Sequence, residues 1–546
     1  MTNAEENRSA NRRSAVLDSA HLGDIEGALG KIKIGDIEHS RTFKTRMLTL
    51  LAIIGPGLIV MVGDNDAGGV ATYAQAGQNY GYSLLWVLLL LIPVLIVNQE
   101  MVVRLGAVTG VGHARLINER FGRGWGWFSV GDLFVLNFLT IVTEFIGVSL
   151  AAEYFGISKY VVVPVAAAAL VAIMATGSFR RWERAMFVFI LITLLQIPML
   201  LLSHPDWGRA AKDFVVPGVE GSWTSDAVLL IIAIVGTTVA PWQLFFQQSN
   251  IVDKRITPRF IGYERADTTL GAFVVVTGAA ALMMTADYAA RANDAVGKFI
   301  DAGEIAHLLG QVHHLLGSVF AIVLLDASII GAAAVTLATS YAFGDVFGIK
   351  HSLHRGFKDA RQFYLSYIAM VVLAAGIVLI PGAPLGLITT AVQALAGLLL
   401  PSASVFLLLL CNDPQVLGPW VNRTWLNIVA AIIVGVLLLL SGILMATTLF
   451  PDLDVVATAG YLAVALVLLV VIAVVALRFT QRGAPAPTPR PRFEASAKDT
   501  WRMPPLTLLE PVTWSAGTRL GMIALRAYLV VGAILLLVKA IQLGRG

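Results

Sequence analysis

Long runs of apolar residues, separated by short polar connections, dominate the chain from about residue 46 to residue 480. Most of them approach or exceed the roughly 20 residues that a helix needs to cross the hydrocarbon core of a bilayer. The pattern predicts an all-α integral membrane protein with about 12–13 transmembrane helices. The predicted crossings lie near 48–76, 82–104, 128–152, 160–176, 184–202, 226–249, 267–287, 317–343, 363–381, 385–410, 425–447 and 457–478.

The composition supports the same class of protein. Hydrophobic residues make up 57% of the 546 residues, charged residues make up 14%, and the mean hydropathy is +0.77. The net charge of +4 is spread over short loops, which argues against a nucleic-acid-binding patch. The single cysteine, Cys411, excludes an intramolecular disulfide. No nucleophile and base arrangement is visible, so we predict that the protein is not an enzyme.

Loop charge predicts the orientation of the bundle. Basic residues accumulate in the N-terminal tail and in the even-numbered connections, which the positive-inside rule places in the cytoplasm. Examples are Lys44, Arg104, Arg180, Lys254 and Arg355. We therefore predict a multi-pass protein of the plasma (inner) membrane with a cytoplasmic N-terminus.

The two ends of the chain differ from the bundle. Residues 1–45 form a polar cytoplasmic tail without the apolar core of a signal peptide. Residues 481–546 comprise a Pro-rich linker and a hydrophobic segment, 520–543, that contains Arg526. This segment is either a thirteenth crossing or a helix on the membrane surface.

The stretch "GDNDAGG", residues 63–69, places polar residues and glycines inside the first apolar run. On a continuous helix Asp64 and Asp66 would point about 200° apart, and one of them would face lipid or a neighbouring helix at a cost of about 2.5–3.5 kcal/mol. An unwound segment removes that conflict and favours a cation as the partner of the two carboxylates. The alternative is that one aspartate caps the half-helix that begins near Gly68.

The sixth apolar run contains a second break. Pro241 removes a backbone hydrogen bond and frees carbonyls near Thr237 and Thr238. Breaks in the first and sixth crossings are typical of two inverted five-helix repeats, with the substrate site between them. The predicted repeats span 46–205 and 206–412, and two further helices span 413–480.

These segments resemble the natural resistance-associated macrophage protein (Nramp) transporters of divalent transition metals. The resemblance covers about residues 45–480 and rests on the two interrupted segments together with "RLGAVTG" at 104–110, "TEFIG" at 143–147 and "NDPQVLGPWVN" at 412–422. It implies an inverted-repeat, amino-acid-transporter-like fold with discontinuous first and sixth helices. It also implies no cofactor, since the metal is cargo.

The resemblance implies a metal site at four positions. The family's metal-binding Asp falls on Asp66, its Asn falls on Gly69 and its Met falls on Ala240, while the Thr237 carbonyl is free to join them. We expect Gly69 and Ala240 to enlarge the cavity and leave an oxygen-only site. Such a site suits Mg²⁺, which dehydrates reluctantly, whereas a thioether favours softer metals.

Six further residues are predicted to line the cavity or to support the ligands. The family's two histidines fall on Trp242 and Gln247, its glutamine falls on Gln393, and Glu144 alone remains of an acidic pair because Ile141 replaces the other member. Trp242 could instead pack between helices, and Glu144 could instead pair with a helix or with Arg104. The full set is Asp64, Asn65, Glu144, Trp242, Gln247 and Gln393.

The altered positions most resemble the Nramp-related magnesium transporters. Since Trp242, Gln247 and Ile141 cannot titrate near neutral pH, we predict uptake of largely hydrated Mg²⁺, with Mn²⁺ as a competing substrate, by alternating access and without proton coupling. One alternative is a proton-coupled Mn²⁺/Fe²⁺ transporter of the parent type. A second is a sodium-coupled amino-acid transporter of the same fold.

Overall fold

The computed structural model describes residues 18–33, 42–382, 385–450, 452–481, 495–510, 512, 519–528, 530–532 and 534. Within these ranges the chain is helical except for connections and one small antiparallel sheet near the N-terminus. The strands β1 (Ile25–Glu26) and β2 (Lys31–Ile32) pair so that Ile25 faces Ile32.

The helices follow one another closely. In the first half of the chain they are α1 (Phe43–Ile53), α2 (Pro56–Val62), α3 (Ala67–Tyr80), α4 (Leu85–Thr109), α5 (His113–Phe121), α6 (Arg123–Tyr154), α7 (Lys159–Met174), α8 (Phe179–Thr193), α9 (Gln196–Leu202) and α10 (Trp207–Val215). In the second half they are α11 (Ser225–Thr238), α12 (Pro241–Asp253), α13 (Ile261–Ala292), α14 (Ala302–Val312), α15 (His314–Phe347), α16 (Arg361–Val378), α17 (Leu385–Cys411), α18 (Pro414–Leu417), α19 (Thr424–Leu449), α20 (Val455–Gln481) and α21 (Ala495–Thr500).

The lengths and composition of the helices agree with a multi-pass membrane protein. Among the described residues eight helical spans are long and apolar enough to cross a bilayer, or nine if the bent pair α1 and α2 counts as one span. Shorter apolar helices lie at Lys159–Met174, Pro401–Cys411 and Val455–Leu468. Each of the twelve crossings that the sequence predicts overlaps one of these helices or the bent pair.

Both predicted helix breaks are present. The first crossing bends by 53° between α1 and α2, next to Gly55 with its φ of +153°, and unwinds again between Val62 and Ala67. The sixth crossing is interrupted between Thr238 and Pro241. Pro241 occupies the first position of α12, where its missing N–H does not weaken the helix.

Three long helices enclose the breaks. Helix α15 packs along α6, while α13 packs against α2, α3 and α4, and α12 contacts α2, α4 and α15. The apolar core is continuous through these helices. The two unwound segments therefore meet other protein rather than lipid, as exposed backbone inside a bilayer requires.

The N-terminal region, predicted as a polar tail, is folded over residues 18–33. Arg355 forms a bidentate ion pair with Asp18, and the Arg255 Nε donates to the Ala20 carbonyl at 2.8 Å. The Ala28 N–H donates to Glu183 at the start of α8. This N-terminal segment thus covers the ends of α8 and α12 and the connection before α16.

The C-terminal hydrophobic segment is described only in part. Residues 519–528 are helical, and the Arg526 guanidinium lies 4.7 Å from the centre of the Trp125 ring on α6. This cation–π contact gives the charge a partner inside the apolar run. Much of the linker and residues 535–546 lie outside the described residues, so a thirteenth crossing stays a prediction.

Candidate functional site

Asp66 caps the second half of the first crossing. Its Oδ1 accepts a hydrogen bond of 2.7 Å from the Gly69 N–H, and its backbone is extended as an N-cap residue requires. The side chain is buried. The capping role that the sequence left open between Asp64 and Asp66 therefore belongs to Asp66.

Glu144, on α6, completes this end of α3. Its Oε2 accepts a 3.1 Å hydrogen bond from the Ala67 N–H, and its carboxyl group lies close to Asp66. Glu144 Oε1 has no partner among the described residues.

Glu144 does not pair with Arg104, so that alternative is wrong. The Arg104 guanidinium instead donates to the Trp420 carbonyl and to Asn422, both at 2.6 Å, and to Glu100 at 3.0 Å. The alternative in which Glu144 supports a helix end is confirmed.

Asp64 faces the second broken helix. Gln243 of α12 donates through Nε2 to Asp64 Oδ1 and also to the Thr238 carbonyl, at 3.2 Å. Gln99 of α4 in turn donates to Gln243 Oε1 at 3.1 Å. The other oxygen, Asp64 Oδ2, is buried and has no protein partner within the described part of the chain. It is the kind of orphaned acceptor that a cation or a water molecule satisfies.

Asn65 points in a different direction, toward α13. Its Nδ2 donates to the Val275 carbonyl at 3.1 Å, while its Oδ1 is buried without a partner in the described residues. A side chain added at Gly278 would approach both this amide and Gln196 on α9. Asn65 therefore anchors the break to α13, next to a second amide that the sequence did not single out.

The prediction that Gly69 enlarges the cavity is wrong at this position. A Cβ atom at Gly69 would lie 2.9 Å from the Asp64 carbonyl oxygen and 3.4 Å from the Tyr73 ring. The backbone of the unwound segment occupies the space that a side chain at position 69 would need. Gly69 acts through its N–H, which holds Asp66.

The second break lies beside the first. Pro241 offers no N–H to the Thr237 carbonyl, and Ala240, buried, is the N-cap residue of α12 without a side-chain hydrogen bond. The hydroxyl groups of Tyr73 on α3 and Thr238 are 2.7 Å apart. This contact joins the second half of the first crossing to the first half of the sixth.

Trp242 and Gln247 do not present ligands to the breaks. Trp242 is buried and packs edge-on against Phe246, close to Gly63, so the packing alternative is confirmed. Gln247 donates to Thr268 on α13 at 2.9 Å and lies further along α12 than the break. Gln393 belongs to α17, but its side chain lies outside the described residues.

The groups at the two helix breaks that could bind a metal ion are oxygen ligands. No three His, Cys, Asp or Glu side chains in the described part of the chain converge closely enough to hold a metal ion by themselves. A bound cation would therefore combine Asp66 and Asp64 with backbone carbonyl, amide or water oxygens. Hard cations such as Mg²⁺ and Ca²⁺ favour such donors, and Mg²⁺ usually keeps several waters.

A cavity of about 490 Å³ extends from one end of the molecule to Ala67, the residue after Asp66. Ala67, Thr72 and Gln75 of α3 line it, together with Thr143 and Gly147 of α6. Asp226 and Asp301 contribute carboxylates to its lining. It opens at the ends of the helices opposite to the N-terminal segment, and the described residues close the other side of the breaks.

A second group of buried charges escaped the sequence analysis. Lys254, interpreted as an exposed loop charge, is fully buried with Glu183, and Glu264 and Asp267 of α13 are buried near them. The spacing of Glu264 and Asp267, three residues apart within an apolar helix, is the one local signal that could have identified them.

Comparisons with known proteins agree with the geometry. The family described as "Natural resistance-associated macrophage protein-like" matches residues 57–447. The chain is 27% identical over 400 residues to "Divalent metal cation transporter MntH" of Burkholderia ambifaria, covering 71% of this chain and 87% of the relative. The corresponding protein of Ralstonia nicotianae is 29% identical over 405 residues, covering 70% and 87%.

The fold is also that of a solved structure. The manganese transporter of Eremococcus coleocola, solved in complex with an aromatic bis-isothiourea substituted compound, superposes with a TM-score of 0.61 at 20% identity. The match covers 84% of this chain and 99% of the other chain. The arrangement of the helices, including the two interrupted crossings, is therefore that of an inverted-repeat transporter.

Proposed function

The chain belongs to the Nramp family, and from that premise we propose that it transports divalent metal cations across the plasma membrane, with Mg²⁺ as the preferred ion. The ion crosses largely hydrated, by alternating access and without proton coupling, and Mn²⁺ competes with it. The N-terminus lies in the cytoplasm in this proposal. The inside-negative potential contributes about 2.3 kcal/mol per charge per 100 mV, so a divalent ion can accumulate without protons.

The observation that carries the proposal is the oxygen-only character of the two breaks. Asp64 Oδ2 is buried without a partner in the described chain, Asp66 lies beside it, and the Thr237 carbonyl lacks its helical donor. The adjacent residues Ala240 and Trp242 bring neither sulfur nor imidazole. Such a donor set gives no preference to the softer transition metals.

The polar lining of the cavity supports a hydrated ion. Thr72, Gln75 and Thr143 offer hydroxyl and amide groups to an ion that keeps its water shell, while Asp226 and Asp301 attract cations. Partial dehydration at Asp66 would then suffice for recognition. This agrees with the reluctance of Mg²⁺ to shed water.

The test uses purified protein in liposomes that contain a Mg²⁺ dye and a pH dye, with a negative-inside K⁺ diffusion potential. We expect Mg²⁺ entry without acidification, and loss of entry in Asp66→Ala. Asp226→Asn, which alters the cavity mouth but not the break, is the matched control and should retain most of the entry. Entry of Mn²⁺ alone, accompanied by protons, would contradict the Mg²⁺ proposal.

The second candidate is a proton-coupled Mn²⁺ transporter. The position of the Glu144 carboxyl group close to Asp66 favours it, because a proton held by Glu144 would leave when a cation binds Asp66. In this case the pH dye responds to metal entry, and Glu144→Gln abolishes the response while metal still enters. The family assignment favours both metal candidates over sodium-coupled amino-acid transport.

A further inference from the structure

The N-terminal hairpin, residues 25–32, ends in a tight turn that lies inside the end of the molecule that the N-terminal segment covers, here called the closed end. The Gly27 N–H donates to the Gly30 carbonyl across the turn at 2.9 Å, and Ala28 at the tip is buried. A Cβ atom at Gly27 would collide with the Ala52 carbonyl oxygen, and one at Gly30 would lie 2.8 Å from Ala52 Cβ. The two glycines therefore allow the turn to lie directly against the end of α1.

Glu183 on α8 joins the hairpin to the rest of the closed end. Its Oε2 accepts a hydrogen bond from the Ala28 N–H, and its Oε1 accepts one from Lys254 Nζ at 2.6 Å. The adjacent Arg184 donates through Nε to the Ala28 carbonyl at 3.0 Å. Residues of α8 thus bind both backbone polar groups of Ala28. Because these groups are buried and satisfied, the turn is an integral part of the closed end.

Lys254, at the end of α12, brings α1 into the same set of contacts. Its ammonium group donates to the carbonyls of Ile53 and Ile54, at 2.6 and 2.9 Å, as well as to Glu183. A Cβ atom at Gly27 would lie 3.3 Å from Lys254 Cε, so the turn of the hairpin also lies against the lysine side chain. The hairpin, α1, α8 and the end of α12 therefore meet at one buried ion pair.

Helix α1 has little other attachment to the bundle. Only Ala52 and Ile53 of this helix are buried, and Phe43 at its start is 79% exposed. Its main packing partners in the described structure are α13 and the two strands of the hairpin. Beyond the bend, by contrast, Asp267 of α13 fixes the start of α2 by accepting a 2.7 Å hydrogen bond from the Gly57 N–H. A helix with little buried surface that ends at a bend is the part of a crossing that moves most easily.

A row of amide side chains connects the helix breaks to the closed end. Gln243, Gln247, Asn250 and Lys254 recur every three or four residues and so share one face of α12. Gln243 contacts Asp64 at the breaks, and the next two amides in the row have buried oxygens without partners in the described chain. Polar groups thus extend from the breaks to Lys254, against which the hairpin and α1 pack.

We propose that the hairpin is a latch for the closed end: it holds α1 against α8 and the end of α12 in this conformation, and it moves away together with α1 when that end opens to release the ion. Opening then breaks the two backbone hydrogen bonds of Ala28 and the bonds from Lys254 to the carbonyls of α1. The inference rests on the proposed function for the ion that is released, but the movement of the hairpin is measurable without transport.

The other end of the N-terminal segment holds the latch close to the bundle. Asp18 forms its bidentate ion pair with Arg355, and Arg255 donates to the Ala20 carbonyl at 2.8 Å. None of these contacts involves α1 or the turn of the hairpin. A hairpin that stays tethered in this way remains at a high effective concentration near its binding site, so the closed end re-forms after each opening.

The first test measures whether release of the turn opens the closed end. The backbone at Gly27 does not require glycine, so Gly27→Ala acts through its collision with Ala52. In purified, detergent-solubilised Asn250→Cys protein we expect Gly27→Ala to raise the rate of maleimide labelling by about five-fold or more, because opening exposes position 250. Leu29→Ala, at the exposed position of the same turn, is the control and should leave the rate unchanged. Equal labelling rates in the two variants, both folded by monodisperse elution, would overturn the latch.

The second test holds the latch closed. In Gly30→Cys/Ala52→Cys the two Cβ atoms start 2.8 Å apart, so a shift of about 1 Å reaches the separation that a disulfide requires. In liposomes we expect oxidation to lower divalent-cation entry by about ten-fold or more, and a reductant to restore it. The single variants Gly30→Cys and Ala52→Cys are the controls and should not respond to the oxidant.

Two results of the second test would also overturn the latch. One is cation entry at an unchanged rate in fully cross-linked protein. The other is the absence of a cross-link under oxidation, because the hairpin would then not lie against α1. Failure of the proposed function is a separate result: wild-type protein would show no divalent-cation entry, while the difference in labelling between Gly27→Ala and Leu29→Ala would remain.

Discussion

At the scale of single residues, the site depends on a few close approaches between side chains that are far apart in the sequence. Asp66 is held by Gly69, Glu144 holds the neighbouring Ala67 N–H, and Asp64 is held by Gln243. A Cβ atom added at Gly69 or at Gly331 would lie within 3 Å of atoms of these residues. Substitutions that alter volume or donor chemistry by one group should therefore have measurable effects on ion selection.

Ala240→Met should shift selectivity toward softer metals. The change places a thioether at the N-cap residue of α12, where the side chain forms no hydrogen bond. We expect the affinity for Mn²⁺ relative to Mg²⁺ to rise by about ten-fold, which corresponds to about 1.4 kcal/mol. Competition between the two ions in liposomes measures it. Ala240→Leu, which adds similar volume without sulfur, should not produce the shift.

Gly331→Ala should damage the site by crowding. A Cβ atom at Gly331 on α15 would lie 2.8 Å from Asp66 Cβ and from Glu144 Oε2. Overpacking of this kind costs about 1–3 kcal/mol, and it would push the two carboxyl groups apart. Thermal unfolding and cation entry should both decline. Gly376→Ala, at an exposed helical position with open space around it, should be neutral or slightly stabilising.

At the scale of elements, the sequence predicted the positions of the helices well, but it predicted the side-chain contacts between helices poorly. Apolar runs and Pro241 locate the crossings and both breaks, because hydropathy and helix-breaking chemistry are local properties. The capping of α3 by Asp66 and the support from Glu144 depend on the packing of α6 against the first crossing. The cluster around Lys254 joins four helices and was mistaken for loop charge for the same reason.

The break in the sixth crossing should be required for transport. Pro241→Ala supplies an N–H that can bond to the Thr237 carbonyl and so favours a continuous helix, by up to about 3 kcal/mol. We expect cation entry to fall by about ten-fold or more in a folded protein. Pro164→Ala, in the exposed part of α7, is the matched control. Equal transport by both variants would argue against a function for the break.

The connection between α15 and α16 should respond to pH through His351. Burial alone would lower the pKa of this histidine, but its ion pair with Asp345, at 3.1 Å, outweighs burial and raises the pKa above the ordinary 6.5. The charged histidine therefore stabilises the folded state below about pH 6.5, and this contribution is lost as the pH rises through the higher folded pKa.

Thermal unfolding of wild type and His351→Gln across the pH range measures this contribution. The difference in Tm should be largest near pH 6 and should shrink toward pH 9. His307→Gln, at an exposed position on α14, is the control substitution. A difference that grows with pH would contradict the assigned ion pair.

At the scale of the whole molecule, the two ends differ in accessibility. The cavity of about 490 Å³ exposes Gln75 at one end, while Asn250 at the other end is fully buried beneath the N-terminal segment. This asymmetry is typical of a transporter conformation in which the binding site is open to one side only.

Cysteine labelling tests this asymmetry. Wild-type protein should react little with a membrane-impermeant maleimide, because Cys411 is buried. Gln75→Cys should react readily when the reagent is added outside intact cells, and Asn250→Cys should remain protected. Strong labelling of Asn250→Cys, or protection of Gln75→Cys, would contradict the accessibility described above.

The end of the molecule that the N-terminal segment covers should limit the transport rate. Its contacts involve the N-terminal segment, the bend at Gly55, α8 and α12 together, so this end has to open as a unit rather than by rotation of one side chain. Collective motions of this kind take microseconds to milliseconds. Each cycle can pass only the ions bound within it, so the flux should saturate with ion concentration at about 10³–10⁶ turnovers per second or fewer. The protein would transport a fixed number of ions per cycle, whereas a pore with both ends open would conduct a continuous current.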